Sequence, residues 1–269
     1  MMLTALVLYT STIMSAIALN DLSPGRNRLG FIPLVLSLLT VASLYSLNSI
    51  GLYPAAAITL FLVLAPTWPL LPARYRLLIT VGLFTLCLLL GFKMIAGINP
   101  LALPGNTPLE INTGKLLVAL LLGVFLVNIS RHRITQPHRS RLQLTSTASA
   151  LILVAIIGWY VSQKDAVITP GLWARLAINL IVTACAEELF FRGFLLNTQL
   201  RFMTPTTALY SNALLFALVH VPHSVLLAGF AFIAGLLYGA VYLLSGKILP
   251  AVLVHWVVNI PLLLYIITS

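Results

Sequence analysis

Residues 225–244 read VLLAGFAFIAGLLYGAVYLL. About 20 apolar residues are what an α-helix needs to cross the ~30 Å hydrocarbon core of a bilayer, and this stretch carries no charge at all. A transmembrane β-strand alternates apolar and polar positions over about ten residues; the run here is continuous, so it reads as a helix. Outward from it the chain repeats the pattern. Candidate spans fall at 2–20, 31–47, 52–71, 77–97, 115–129, 146–163, 172–196 and 205–221 before it, and at 248–267 after it. The expected fold is all-α, a polytopic integral membrane bundle of about 8–10 transmembrane helices. The first run opens Met1-Met2-Leu3-Thr4, without the basic leader of a secretory signal, and is read as a membrane segment.

Composition excludes the soluble alternatives. Of the 269 residues, 60% are hydrophobic and 7% charged, against roughly 45–50% and 25% in soluble domains. Five acidic side chains cannot give a water-exposed surface both signs of charge. The net charge of +10 would suit nucleic acid if it were gathered on one folded face. Instead the basic residues sit in short clusters between apolar runs: Arg26 and Arg28, Arg74 and Arg76, then Arg131, Arg133, Arg139 and Arg141. No nucleic-acid partner is expected; the partner is the lipid bilayer. Cys87 and Cys185 each lie inside an apolar run, which does not indicate a disulfide framework.

Alternating topology tests the spans. With the first segment entering from outside, inside loops hold those eight arginines with Arg201 and Lys247, and outside loops hold Lys93, Lys115 and Lys164. Lys and Arg are retained on the cytoplasmic side, so both termini are expected outside. Loops at 98–114 and 130–145 punctuate the chain. Residues 1–165 form an N-terminal transmembrane region of unassigned role, and 166–269 hold almost all the unusual intramembrane chemistry.

That chemistry begins in segment 172–196, LWARLAINLIVTACAEELFFRGFLL. Glu187, Glu188 and Arg192 lie inside a span where each ionic side chain costs roughly 2.5–3.5 kcal/mol at the helix centre. Glu188 and Arg192 are spaced i,i+4 with the acid first, the favourable order for a helical ion pair. Glu187 points about 100° away around the helix, with no basic residue three or four positions from it. A wet loop at a misjudged helix end would account for both acids blandly. Two further spans argue otherwise: Phe216 and His220 in 205–221, and His255 and Asn259 in 248–267, are each spaced i,i+4 on one helical face. A single histidine in an apolar helix is more often a hydrogen-bonded core residue than a catalyst; two histidines, an asparagine and a glutamate on successive spans point to a functional site.

In order and spacing, these positions form EExxxR (Glu187 to Arg192), FxxxH (Phe216 to His220) and HxxxN (His255 to Asn259). Together they resemble the CAAX-protease and bacteriocin-processing (Abi) family of glutamic-type intramembrane endopeptidases, as does the stretch Gly235 to Pro250 before the last motif. The resemblance spans about 170–267 and leaves 1–165 untouched. It implies a cofactor-free protease of a prokaryotic cell membrane, acting on a membrane-associated protein or peptide. Glu187 and His220 would activate water, and His255 and Asn259 would stabilise the oxyanion. Glu188, Arg192 and Phe216 would be supporting residues. Peptide hydrolysis needs an activated water and donors for the developing oxyanion, and the residue types suit those tasks.

Three other readings stand beside this one. Glu187, His220 and His255 are a possible zinc set, although H-E-x-x-H is absent and His223, after Pro222, reads as a loop residue. A polytopic transporter or channel could use Glu187 as a proton or cation site, but no matching pair of Gly/Pro-broken spans suggests inverted repeats. A non-catalytic membrane adaptor or immunity protein could use the same fold. Gly235 and Gly239 read as a close helix-packing face, and Trp159, Tyr160 and Trp173 as interfacial belt residues. The span boundaries place His220 near the outer end of its helix and His255 nearer the inner end of its own, at different depths.

Overall fold

Apolar runs of this length become helices because in lipid every backbone polar group must be satisfied within the segment. The computed structural model describes residues 2–22, 31–103, 109–128, 139–162 and 171–265. The first five helices are α1 (Met2–Leu22), α2 (Phe31–Ser46), α3 (Leu52–Leu64), α4 (Ala73–Gly91) and α5 (Thr113–Val127). After α6 (Arg139–Ser162) come α7 (Leu172–Ile178), α8 (Cys185–Glu188), α9 (Asn197–Gln199), α10 (Pro205–Leu218), α11 (Val225–Ser245) and α12 (Ile248–Tyr265). The fold is all-α, as the apolar runs predict. Two antiparallel two-residue strands, β1 (Leu101–Ala102) and β2 (Glu110–Ile111), are the exception, in what the sequence reads as plain loop. A 3-10 turn, Ala65–Leu70, extends α3; it holds Pro66 and Pro69, which lack the N–H that a continued α ladder requires.

Among the described residues, five helical segments are long and apolar enough to cross a membrane: Met2–Asp21, Leu52–Leu70, Ala73–Gly91, Arg139–Val161 and Val225–Ser245. Phe31–Ser46, Thr113–Val127 and Ile248–Pro261 are shorter apolar helices. The chain is an integral membrane protein. Arg26, Arg28, Arg131, Arg133 and Lys164, which enter the topology argument, lie outside the described residues.

Two compact units are present, Met1–Arg131 with Ile181–Phe190 and His132–Leu180 with Phe191–Ser269. The first is organised around α5, which packs on α1, α2, α3, α4 and α8. Every residue of α5 except Lys115 is buried. Fifteen residues rise only about 22 Å, less than the ~30 Å of hydrocarbon. This helix is apolar all round because protein surrounds it. Its start is closely tied: Asn112 caps it by accepting the Lys115 N–H at 3.1 Å, and the Thr113 hydroxyl donates to the Asn99 carbonyl at 2.7 Å. Gly114 lies directly against the Leu90 carbonyl of α4, and a Cβ on Gly123 would stand 3.2 Å from the Ala16 Cβ of α1.

In the second unit α11 packs on α6, α10 and α12. The Gly235/Gly239 face expected to allow close approach does so against α10: a Cβ on Gly235 would lie 3.1 Å from the Ala213 Cα, and one on Gly239 would lie 2.5 Å from the Leu209 Cδ1. Trp256 fastens α12 to α7 by donating its indole N–H to the Leu176 carbonyl at 2.9 Å. Trp159 and Trp173, read as belt residues, are exposed.

Glycine contacts of this kind can be tested directly. Gly114→Ala drives a methyl group into backbone, where overpacking costs about 1–3 kcal/mol. Gly158→Ala, in α6 with nothing within 4 Å of the new Cβ, should be neutral or stabilising. Melting temperature and yield after detergent extraction should fall for Gly114→Ala alone; equal values for both variants would contradict the packing described.

Candidate active site

Segment 172–196 is not the regular helix its apolar run predicts. After α7 the backbone widens into a π-helical turn, Asn179–Ala184, narrows to the four-residue α8, and widens again at Leu189–Leu196. π-helical turns are rare and gather at functional sites. Each here presents a backbone carbonyl to a side-chain donor: the Tyr9 hydroxyl to Ile181 O at 2.7 Å in the first unit, and Asn212 Nδ2 to Phe191 O at 2.9 Å in the second. Arg192 lies within the second π turn, so the regular α spacing assumed for Glu188 and Arg192 is not kept.

Glu187 and Glu188 share α8 but not an environment. Glu188 is 0% exposed, whereas the Glu187 side chain is 17% exposed and accessible to a molecule the size of water. A turn of about 100° between neighbours separates them. Glu187 Oε1 receives a hydrogen bond and ion pair from Lys115 Nζ at 2.6 Å. The topology reading placed Lys115 in an outside loop; it stands in the first turn of α5. Glu187, partnerless within helical reach along the sequence, therefore has a partner 72 positions away. No motif signals such a pair; the only hint is a lysine at the head of an otherwise uncharged run.

The remaining motif residues lie in the second unit, around Phe216. Its ring stands 4.8 Å from that of His220, 5.9 Å from His255, 6.0 Å from Tyr238 and 4.9 Å from Phe191. The depth mismatch expected between the histidines is corrected here, since both rings flank one phenylalanine. The helix is also shorter than its apolar run: α10 ends at Leu218, and His220 lies in the turn beyond it. His220 Nδ1 is 2.7 Å from the Phe216 carbonyl. A carbonyl only accepts, so Nδ1 carries the proton and Nε2 of the neutral ring is an acceptor. His223 is an exposed turn residue, as its sequence context predicts.

His255 is 3% exposed and stacks on Tyr238 with ring centres 4.5 Å apart and planes 13° from parallel. Asn259, one turn on, donates from Nδ2 to Asn179 Oδ1 at 3.3 Å, which sets the direction of its amide. Arg192 is fully buried; it donates from Nη2 to the Gly235 carbonyl at 3.0 Å and lies over the rings of Phe216 and Tyr238 at 4.7 and 5.3 Å. Tyr238 and Asn179 escape a reading built on motifs, because each sits in an unremarkable apolar run on another helix. Among the described residues, no group of three or more His, Cys, Asp or Glu could hold a metal ion.

The surroundings of Arg192 predict a graded response. Removing one partner from a buried charged contact costs about 3–5 kcal/mol, and lysine keeps the charge but not the planar stacking of the guanidinium. Protein abundance in membranes should fall in the order wild type, Arg192→Lys, Arg192→Ala. Wild-type abundance for Arg192→Ala would show that the contacts carry no stability.

No curated protein and no solved structure matches the chain. Residues 169–261 do match a family, described as type II CAAX prenyl endopeptidase Rce1-like. The match covers about a third of the chain and includes all three motifs. Residues 169–261 of this integral membrane protein are thus similar to the Rce1-like family of proteases, the likeness that EExxxR, FxxxH and HxxxN implied.

Proposed function

We propose that this protein is an intramembrane endopeptidase in which Glu187 is the base that activates water. The observation carrying this reading is the contrast within α8: of two adjacent carboxylates, one is sealed and the other is open to a molecule the size of water. A hydrolytic base must meet the water whose proton it takes. Glu188 cannot, and so serves the helix that presents Glu187. His220 supports the reading through its tautomer, since an accepting Nε2 can hold a water hydrogen.

The reaction follows from these roles. Water oxygen attacks the scissile carbonyl carbon as Glu187 takes a water proton, forming a C–O bond and a tetrahedral oxyanion. His255 and the amide of Asn259 donate hydrogen bonds to that oxygen, where preorganised donors act most strongly. Collapse breaks the C–N bond, and the proton held by Glu187 passes to the departing amine, leaving a carboxylic acid whose remaining proton moves to the amine to give carboxylate and ammonium. No metal is required. The family description names CAAX prenyl endopeptidases, so the substrate class proposed is a membrane-associated protein or peptide with a prenylated C-terminal CAAX sequence. The setting proposed is a prokaryotic cell membrane, and the chemistry is of the glutamic, Abi-like type.

A farnesylated, internally quenched CAAX peptide with the full-length protein in detergent or nanodiscs tests the assignment. Glu187→Gln and His220→Ala should each abolish turnover with little change in melting temperature. Asn259→Ala should lower kcat by about 10²–10³ with KM nearly unchanged, as expected when a donor acts only in the transition state. Chelators should leave the rate unaltered. Near-wild-type turnover by Glu187→Gln would refute Glu187 as the base, and activity lost to a chelator and restored by zinc would replace this mechanism with a metal-assisted one.

A further inference from the structure

The Rce1-like match starts at residue 169, yet a residue that pairs with the proposed base comes from far upstream. We propose that Lys115 is a positioning residue for the Glu187 carboxylate, which makes α5 a working part of the hydrolytic site. The inference rests on the reading of Glu187 as the base.

Three observations carry it. The first is contact: Lys115 Nζ lies 2.6 Å from Glu187 Oε1, at the short end for a charge-assisted hydrogen bond. A carboxylate must be anionic to accept a proton from water, and an anion in a low-dielectric setting is costly without a cation beside it. Lys115 supplies that cation. By holding Oε1 it also sets the plane of the carboxylate, and with it the direction of the lone pairs on Oε2.

The second is rigidity. A positioning group must itself be fixed, and Lys115 is anchored at the most constrained point of its helix. Its own N–H is capped by Asn112, the hydroxyl of Thr113 is bound to Asn99 O, and Gly114 is pressed on the Leu90 carbonyl. From Leu116 to Val127 the helix is buried, and α5 packs directly on α8. The third is accessibility. The side chains of Lys115 and Glu187 are 28% and 17% exposed, so the pair is open to a small molecule, whereas Glu188 is sealed. The whole chain has five acidic side chains, so a lysine meeting this one at a water-accessible point is a specific arrangement.

The test uses full-length protein carrying Lys115→Met, Lys115→Arg, Glu187→Gln or Lys115→Met with Glu187→Gln. Melting temperature measures the pairing without any substrate. Lys115→Met alone should lower it, and adding Glu187→Gln should restore most of the loss, because the carboxylate that lacked its cation is gone. Turnover of the farnesylated peptide measures positioning. Lys115→Met should lower kcat by about 10²-fold, the scale of a small misplacement of a catalytic group, with KM within about twofold of wild type. Lys115→Arg should recover part of kcat. A Lys115→Met kcat within about threefold of wild type, with Glu187→Gln inactive, would overturn the role of Lys115 and leave the base intact. Wild-type turnover by Glu187→Gln would instead remove the base reading, and melting temperatures that simply add would show that the two side chains do not interact.

Discussion

An ionic side chain in a helix surrounded by lipid or apolar protein costs several kcal/mol unless another group meets its charge, and the arrangement of this protein follows from how that cost is met. Glu187 is met by Lys115. Arg192 is met by the Gly235 carbonyl and by ring faces of Phe216 and Tyr238. These contacts join helices distant in sequence: α8 to α5 in the first unit, and the second π turn to α10 and α11 in the other. With only 7% of residues charged, each such contact is an organising point rather than one among many.

Close backbone approach is the second element of the design. Apolar side chains gain little by leaving lipid for protein, so helices in membranes associate through small residues and tight packing. Gly114 and Gly123 bring α5 against α4 and α1; Gly235 and Gly239 bring α11 against α10. The first pair leaves Lys115 rigid. The second places the α11 backbone where the Arg192 guanidinium can reach the Gly235 carbonyl, with Tyr238 under His255 one turn further along.

The helices were legible because each is an apolar run of the length that the bilayer imposes, and boundaries such as those of α11 agree with the runs to within a residue. The motif residues were legible from their residue types, which are costly in a span and therefore conspicuous. Contacts between runs were not. Lys115 looks like a loop lysine because hydropathy has no means of pairing it with an acid 72 positions away. That His220 and His255 flank one phenylalanine was equally hidden, because ring contacts between spans leave no mark in hydropathy. Tyr238 and Asn179 were invisible because an aromatic residue and an amide in apolar helices are ordinary until their partners are known. The π turns escaped because periodicity analysis presumes 3.6 residues per turn.

Those π turns give segment 172–199 a property its hydropathy conceals. A π turn holds one residue more than the α turn it replaces, and the four α-helical residues of α8 are suspended between two such insertions. Deleting a single apolar residue from Asn179–Ala184 would leave the segment as hydrophobic as before and more regularly helical. It would also close the widened turn whose Ile181 carbonyl accepts the Tyr9 hydroxyl. The chemistry of this helix is thus encoded in its residue count as much as in its residue types, and an insertion or deletion there is a more radical change than most substitutions.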